Sequence, residues 1–199
     1  MKVAFLDRDG VINTFPGLGN YVTKVKDFSF LPGALESIKQ LHELGYTIFV
    51  VSNQAGVGRG VYSKNKLERI NKKMINGVRR SGGRIKKVFY CIHRPDAGCS
   101  CRKPETGSIK NALRLIKKTP KQLTAAYFVG DAQGDIKAGK RSGFTTVCVL
   151  SGRSNRRDIS TWNVRPDYIT KNLLEAVKVI EHEDSRHSRL RRSRPHQGC

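Results

Sequence analysis

Asp7-Arg8-Asp9-Gly10 places two carboxylates two residues apart, directly after an apolar run from Lys2 to Leu6. On a turn, such a pair can divide labour. One carboxylate can bind a hard cation and attack phosphorus, while the other gives a proton to an ester oxygen and later withdraws one. Gly10 permits the tight backbone that the turn needs. An isolated Asp-x-Asp-Gly is as consistent with an ordinary acidic turn, so the residues found elsewhere decide. Ser52 and Asn53 offer a hydroxyl and an amide able to hold a phosphoryl group, Lys103 supplies a cation, and Asp131 and Asp135 add carboxylates for a metal. A second cluster, Cys91-x-His93 and Cys99-x-Cys101, gathers three thiols and an imidazole within eleven residues. That composition suits a closed tetrahedral Zn²⁺ site. One intervening residue within each pair is not zinc-finger spacing, and a set of half-buried thiols is the alternative. Cys148 and Cys199 read as ordinary cysteines.

Five short apolar, β-rich runs must position these groups: Lys2 to Leu6, Thr47 to Val51, Lys87 to Cys91, Ala126 to Val129 and Thr145 to Val149. Helical spacing fills the intervals. After Pro32-Gly33, Leu35, Ile38, Leu41 and Leu44 share a face and Gly45 stops the helix. Ser63 caps a second helix carrying Leu67, Ile70, Met74 and Val78 before Gly82-Gly83. Thr106 begins a third, a short one covers Asp135 to Ser142, and the last runs near Lys171 to His182. The alternation predicts an α/β fold: a doubly wound, Rossmann-like parallel sheet with helices on both faces and right-handed crossovers. Ligands in such sheets sit beyond the carboxyl ends of the strands. Asp7 and Asp9, Ser52-Asn53-Gln54, Cys91 and His93, and Gly130-Asp131 each follow one of the first four runs, so four strand ends meet at one rim.

At 199 residues the chain holds one domain, assigned to residues 1–183, followed by a basic tail over 184–199 read as disordered. No apolar run of about 18 residues exists to span a bilayer, and no export signal precedes Asp7, so a soluble, cytoplasmic protein is expected. An odd number of cysteines, five, suits a reducing compartment better than a disulfide framework. The anomaly is charge: 38 Lys and Arg against 16 Asp and Glu give +22, and the tail contributes only Arg186, Arg189, Arg191, Arg192 and Arg194. Such a field favours anionic ligands without choosing among phosphate esters, nucleic acid and acidic surfaces. The basic residues between Lys64 and Lys87 are spread round their helix and read as a solvated face. Nucleic acid is not the favoured partner, because only Tyr62 and Phe89 supply aromatics nearby.

The order of acid pair, hydroxyl, lysine and acid pair resembles the four motifs of the haloacid dehalogenase superfamily of phosphohydrolases, over roughly residues 1–149. The stretches Phe5 to Asn13, Ser52 to Gly60, and Cys91-Ile92-His93 with Cys99 to Pro104 are similar to the subfamily of D-glycero-D-manno-heptose 1,7-bisphosphate 7-phosphatases and histidinol-phosphate phosphatases. The resemblance implies a Mg²⁺-dependent phosphomonoesterase with Asp7 as nucleophile and Asp9 as general acid, then base. It implies Mg²⁺ held by Asp7, Asp9 and Asp131, with Asp135 either supporting the metal or orienting Lys103. Ser52, Asn53 and Lys103 would hold the phosphoryl group, with Asn13, Tyr21, Gln54, Arg59 and Arg102 completing the phosphate and substrate contacts. Cys91, His93, Cys99 and Cys101 would hold a structural Zn²⁺ that fixes the loop delivering Lys103. The implied partner is a small phosphorylated sugar, and Gly58-Arg59-Gly60 favours the heptose branch. Histidinol phosphate, a nucleic-acid 3′ end and a purely nucleic-acid-binding role stay as alternatives. Two departures bear on substrate: the stretch from Thr14 to Val22 is longer than expected, though Asn20-Tyr21-Val22 still resembles the substrate-contacting end, and Ala132 stands where heptose enzymes tend to carry Lys. No inserted cap domain is visible. Oligomeric state is open, with a monomer as default.

Overall fold

The computed structural model describes the chain from Met1 to Arg192. Its elements are β1 (Lys2–Leu6), α1 (Ala34–Glu43), β2 (Tyr46–Asn53), α2 (Ala55–Gly58), α3 (Lys64–Arg80), β3 (Ile85–Cys91), α4 (Gly107–Leu115), β4 (Ala125–Gly130), α5 (Gln133–Arg141), β5 (Thr145–Val149), α6 (Arg156–Ser160), β6 (Tyr168–Thr170) and α7 (Leu173–Arg192). The strands form one sheet in the order β3-β2-β1-β4-β5-β6, every pairing parallel. Because the chain winds outward from β1 to β3 and then crosses back to β4, the switch in winding falls between β1 and β4, where such folds open a ligand crevice.

Period-two alternation divides β1 between the two faces of the sheet. Ala4 and Leu6 join one apolar cluster with Ile38 and Leu41 of α1, Ile70 and Met74 of α3, and Val177 and Ile180 of α7. Val3 and Phe5 join the opposite cluster with Ile109 and Leu113 of α4 and Ala138 of α5. Phe5 stacks there on Phe49, Phe128 and Phe144, with ring centroids 5.2–6.1 Å apart. With both faces covered, the central strands are rigid, and the loops at their carboxyl ends inherit fixed anchors.

The doubly wound architecture is the expected one, with one strand more. Tyr168–Thr170 pairs with β5 as a three-residue edge strand, too short to register as a periodic run. The helices α2 and α6, of four and five residues, were equally illegible. Ser63 does cap α3, accepting from the Lys66 backbone N–H at 3.3 Å. The tail boundary near Asp184 is corrected: α7 runs on through Arg192. Asp184 is tied to the sheet by Lys2 at 2.8 Å and by the Tyr46 hydroxyl at 2.9 Å. Those partners lie far away in sequence, so the local Arg/Ser composition gave no sign of them. Residues 193–199 lie outside the described residues. No described helix is long and apolar enough to cross a membrane.

Candidate active site

The crevice between β1 and β4 is a cavity of about 280 Å³ lined by Asp7, Asp9, Ser52, Asn53, Lys103 and Asp131, among others. Asp7 leaves the end of β1, and its Oδ1 accepts from the Arg8 backbone N–H at 2.7 Å. Lys103 reaches in from the loop after β3, its side chain only 2% exposed, and places Nζ 2.9 Å from Asp7 Oδ1 and 2.7 Å from Asp135 Oδ1. The same ammonium donates to the Val51 carbonyl at 2.6 Å. Asp135 Oδ2 accepts from the backbone N–H groups of Asp131 and Ala132 at 3.1 and 3.0 Å, so that carboxylate ties Lys103 to the loop carrying Asp131. Gly10 turns the chain at φ +82°, and a Cβ there would lie 2.2 Å from Asp131 Oδ2. Both the conformation and the close approach exclude a side chain.

Asp9 is held by a dense set of donors. Arg8, with no exposed surface, donates through Nε and Nη2 to Asp9 Oδ1 at 3.2 and 3.0 Å and through Nη2 to Oδ2 at 3.0 Å. Asn13 Nδ2 donates to Oδ1 at 2.9 Å and Gln54 Nε2 to Oδ2 at 2.7 Å. Gln54 also donates to Ser52 Oγ at 2.8 Å. Since Ser52 accepts there, its own hydroxyl proton is left to donate into the cavity.

Charge sets the chemistry available. One oxygen from each of Asp7, Asp131 and Asp135 lies within 4.8 Å of the others. Burial lifts Asp7 to about 6, against the pull of Lys103. Burial, then the neighbouring Asp135 and Asp7, lifts Asp131 well above the ordinary carboxylate range. Burial would lower Lys103, but Asp135 and Asp7 outweigh it and raise its ammonium above its usual value. Three carboxylates crowded around one ammonium are under-neutralised, and their hard oxygen donors fit a divalent cation such as Mg²⁺.

At the end of β3, Cys91 Sγ lies 3.6 Å from His93 Nδ1 and 3.5 Å from Cys99 Sγ; Cys101 Sγ lies 3.3 Å from His93 Nδ1 and 3.6 Å from Cys99 Sγ. Bonds of about 2.0–2.3 Å from a tetrahedral Zn²⁺ require donor separations of about 3.3–3.8 Å, so this donor set fits that ion, with His93 presenting Nδ1. Burial and hydrogen bonds from Cys101 and Cys99 push the Cys91 thiol up to about 12. Burial works upward on Cys99 too, but hydrogen bonds from Cys91, Cys101 and the backbone bring it down to about 7. Cys148 is a free, buried thiol within β5.

Residues 100–176 match a family model described as "HAD-hyrolase-like". A D-glycero-alpha-D-manno-heptose-1,7-bisphosphate 7-phosphatase from Photorhabdus laumondii is 35% identical over 91% of this chain and 97% of its own length. This chain belongs to the haloacid dehalogenase-like phosphatases, in the heptose-bisphosphate phosphatase subfamily. A D-glycero-beta-D-manno-heptose-1,7-bisphosphate 7-phosphatase from Pseudomonas putida is likewise 35% identical, over 78% of this chain and 86% of its own. The structure of the D,D-heptose 1,7-bisphosphate phosphatase from B. bronchiseptica, complexed with magnesium and phosphate, superposes with a TM-score of 0.82 at 29% identity, covering 92% of this chain and 99% of that one. As a family member, the chain is a phosphoric monoester hydrolase, and phosphatases of this superfamily use Mg²⁺.

Within this phosphatase fold, the residues singled out from sequence divide into two groups. Asp7, Asp9, Tyr21, Ser52, Asn53, Arg102, Lys103, Asp131 and Asp135 line the cavity. Asn13, Gln54 and Arg59 do not: Asn13 and Gln54 bond to Asp9, and Arg59 is exposed. Asn53 clamps the Lys103 backbone, accepting from its N–H and donating to its carbonyl, each at 3.0 Å. Two arginines were missed. Arg8 stands between the two acids in sequence, and only the fold turns its guanidinium onto Asp9. Arg153 lines the cavity from the loop after β5 and donates its backbone N–H to Asp131 Oδ2 at 2.6 Å; its place beyond a strand end was the available signal. No residue of α3 lines the cavity, so its basic outer face lies apart from this chemistry.

Proposed function

We propose that this phosphatase removes the 7-phosphate of D-glycero-D-manno-heptose 1,7-bisphosphate through an aspartyl-phosphate on Asp7. The observation that carries the chemistry is the pairing of Asp7 with buried Lys103 at 2.9 Å, beside a second carboxylate, Asp9, held by its own set of donors. The Asp7 carboxylate attacks phosphorus and the bond to the sugar oxygen breaks, while Asp9 delivers a proton to that oxygen. A water molecule then attacks the aspartyl-phosphate, Asp9 takes its proton, and phosphate leaves with the Asp7 carboxylate restored. Lys103 and the Ser52 hydroxyl offset charge on the phosphoryl oxygens. Asn53 acts on the same group by holding the Lys103 backbone, and Gln54 and Asn13 act by orienting Asp9.

Asp7, the Asp9 backbone carbonyl and Asp131 would hold Mg²⁺, which when bound neutralises charge on the phosphoryl oxygens. Asp135, with both oxygens already bonded, orients Lys103. Cys91, His93, Cys99 and Cys101 would hold Zn²⁺ and stiffen the loop that ends in Arg102-Lys103. Thiolate ligation agrees with a reducing cytoplasm. The substrate assignment is supported by relatives named for both anomers and by the absence of a cap domain among the described residues, which leaves room for a sugar phosphate at the rim.

The test is a panel assayed with purified protein and Mg²⁺: both anomers of the heptose 1,7-bisphosphate, histidinol phosphate and 3′-phosphorylated oligonucleotides. One heptose anomer is expected to give the highest kcat/KM. Faster turnover of histidinol phosphate or of an oligonucleotide would refute the assignment.

A further inference from the structure

The cavity at Asp7, about 280 Å³, is small for its task, since pockets that enclose a whole small-molecule ligand generally run from about 300 to 1,000 Å³. A groove of about 470 Å³ adjoins it, and Leu18, Ala132, Gly134 and Arg153 border both spaces. Two of the residues at that shared border are small, Ala132 with only a methyl group and Gly134 with no side chain. The far side of the groove is formed by Ser154, Asp158, Thr161 and Trp162. It is anchored where Ile159 packs with Ile136 and Cys148, with Trp162 against that cluster. Asp158, the acid on that wall, accepts from the Asn155 backbone N–H at 2.9 Å and caps α6.

Cations distinguish this passage. Arg8 pairs with Asp9, and Lys103 with Asp7 and Asp135. Arg102 and Arg153 line the same cavity without a carboxylate partner among the described residues. Arg102 also keeps a buried Nη1 with no hydrogen-bond partner among the described residues, a donor that an incoming anion would satisfy. Arg153 is the charged residue common to the cavity and the groove, and its backbone bond to Asp131 fixes its loop to the reacting centre.

From these contacts we infer that the groove between α5 and α6 receives the leaving-group half of the substrate, and that Arg153 is a specificity-determining residue whose guanidinium, together with that of Arg102, grips a second anionic group on that half. This rests on the bisphosphate reading above and adds to it the route and the residue.

The experiment compares kcat/KM for heptose 1,7-bisphosphate and for 4-nitrophenyl phosphate, which lacks a second anionic group, in wild type, Arg153→Ala, Arg153→Lys and Thr161→Trp. Arg153→Ala is expected to lose at least about tenfold more on the bisphosphate than on the small ester, chiefly through KM. Arg153→Lys should recover part of that loss. Thr161→Trp, which fills the groove from its far wall, should show the same substrate bias. Equal losses on both esters, with the wild type still favouring the bisphosphate, would overturn this inference alone. A wild-type enzyme that favours 4-nitrophenyl phosphate would overturn the proposed substrate and this inference with it.

Discussion

Replacing Arg8 with methionine tests how Asp9 is held. Arg8 has no exposed surface and its side chain makes five hydrogen bonds: three to Asp9, one to Asn71 and one to Gln54. Methionine fills much of the same volume but donates nothing, so the Asn71 oxygen loses the Arg8 bond and Asp9 loses its neutralising charge. Removing one partner of a buried pair costs about 3–5 kcal/mol. Asp9 keeps Asn13 and Gln54, and its side chain is 19% exposed, which places the cost at the lower end, about 3 kcal/mol. For a chain of this size that corresponds to a Tm lower by roughly 6–12 °C. Circular dichroism melts at pH 7 of Arg8→Met, Asp9→Asn and the double variant close a cycle. In Arg8→Met/Asp9→Asn no unpaired carboxylate remains, so the double variant should be at least about 1 kcal/mol less destabilised than the sum of the singles. kcat of Arg8→Met should fall by at least about tenfold, because Asp9 is no longer fixed in orientation. An Arg8→Met melt within about 2 °C of wild type, or strictly additive variants, would refute the reasoning.

Asp7→Asn keeps the side chain's size while removing the attacking charge, so phosphate release with Mg²⁺ present should drop by several orders of magnitude with the melt preserved; residual turnover above a few per cent would exclude a covalent role for Asp7. Cys99→Ser removes one of four donors whose spacing fits Zn²⁺, so zinc content measured by elemental analysis and Tm should fall together. Wild-type protein purified under reducing conditions and free of zinc would contradict that site.

The sequence determined the sheet and which polar side chains stand at its strand ends. Apolar runs of four or five residues separated by helical spacing leave few alternatives to a doubly wound sheet, and Asp7, Ser52 and Asp131 each sit within two residues of a strand end. A strand end is a local feature with a fixed place in this fold, so those positions could be read one at a time. The cysteine cluster was legible for the same reason, its four donors falling within eleven residues.

What the sequence left undecided turns on which distant group meets a given side chain. An amide such as Asn53 or Gln54 can donate to a phosphate as well as to the protein. Only the approach of the Lys103 loop, fifty residues further on, binds Asn53 to that backbone, and only the turn at Asp9 gives Gln54 its carboxylate. Arg59 and Arg153 each sit in a glycine-containing loop, and nothing local separates them; the sheet order puts the β5 loop beside Asp131 and leaves Arg59 outside the cavity lining. The continuation of α7 past Asp184 depends on Lys2 and Tyr46, 182 and 138 residues away. Hydrophobic periodicity and turn residues are short-range signals and fix the elements. The partners of polar groups are set by contacts that exist only once the sheet has brought its loops together.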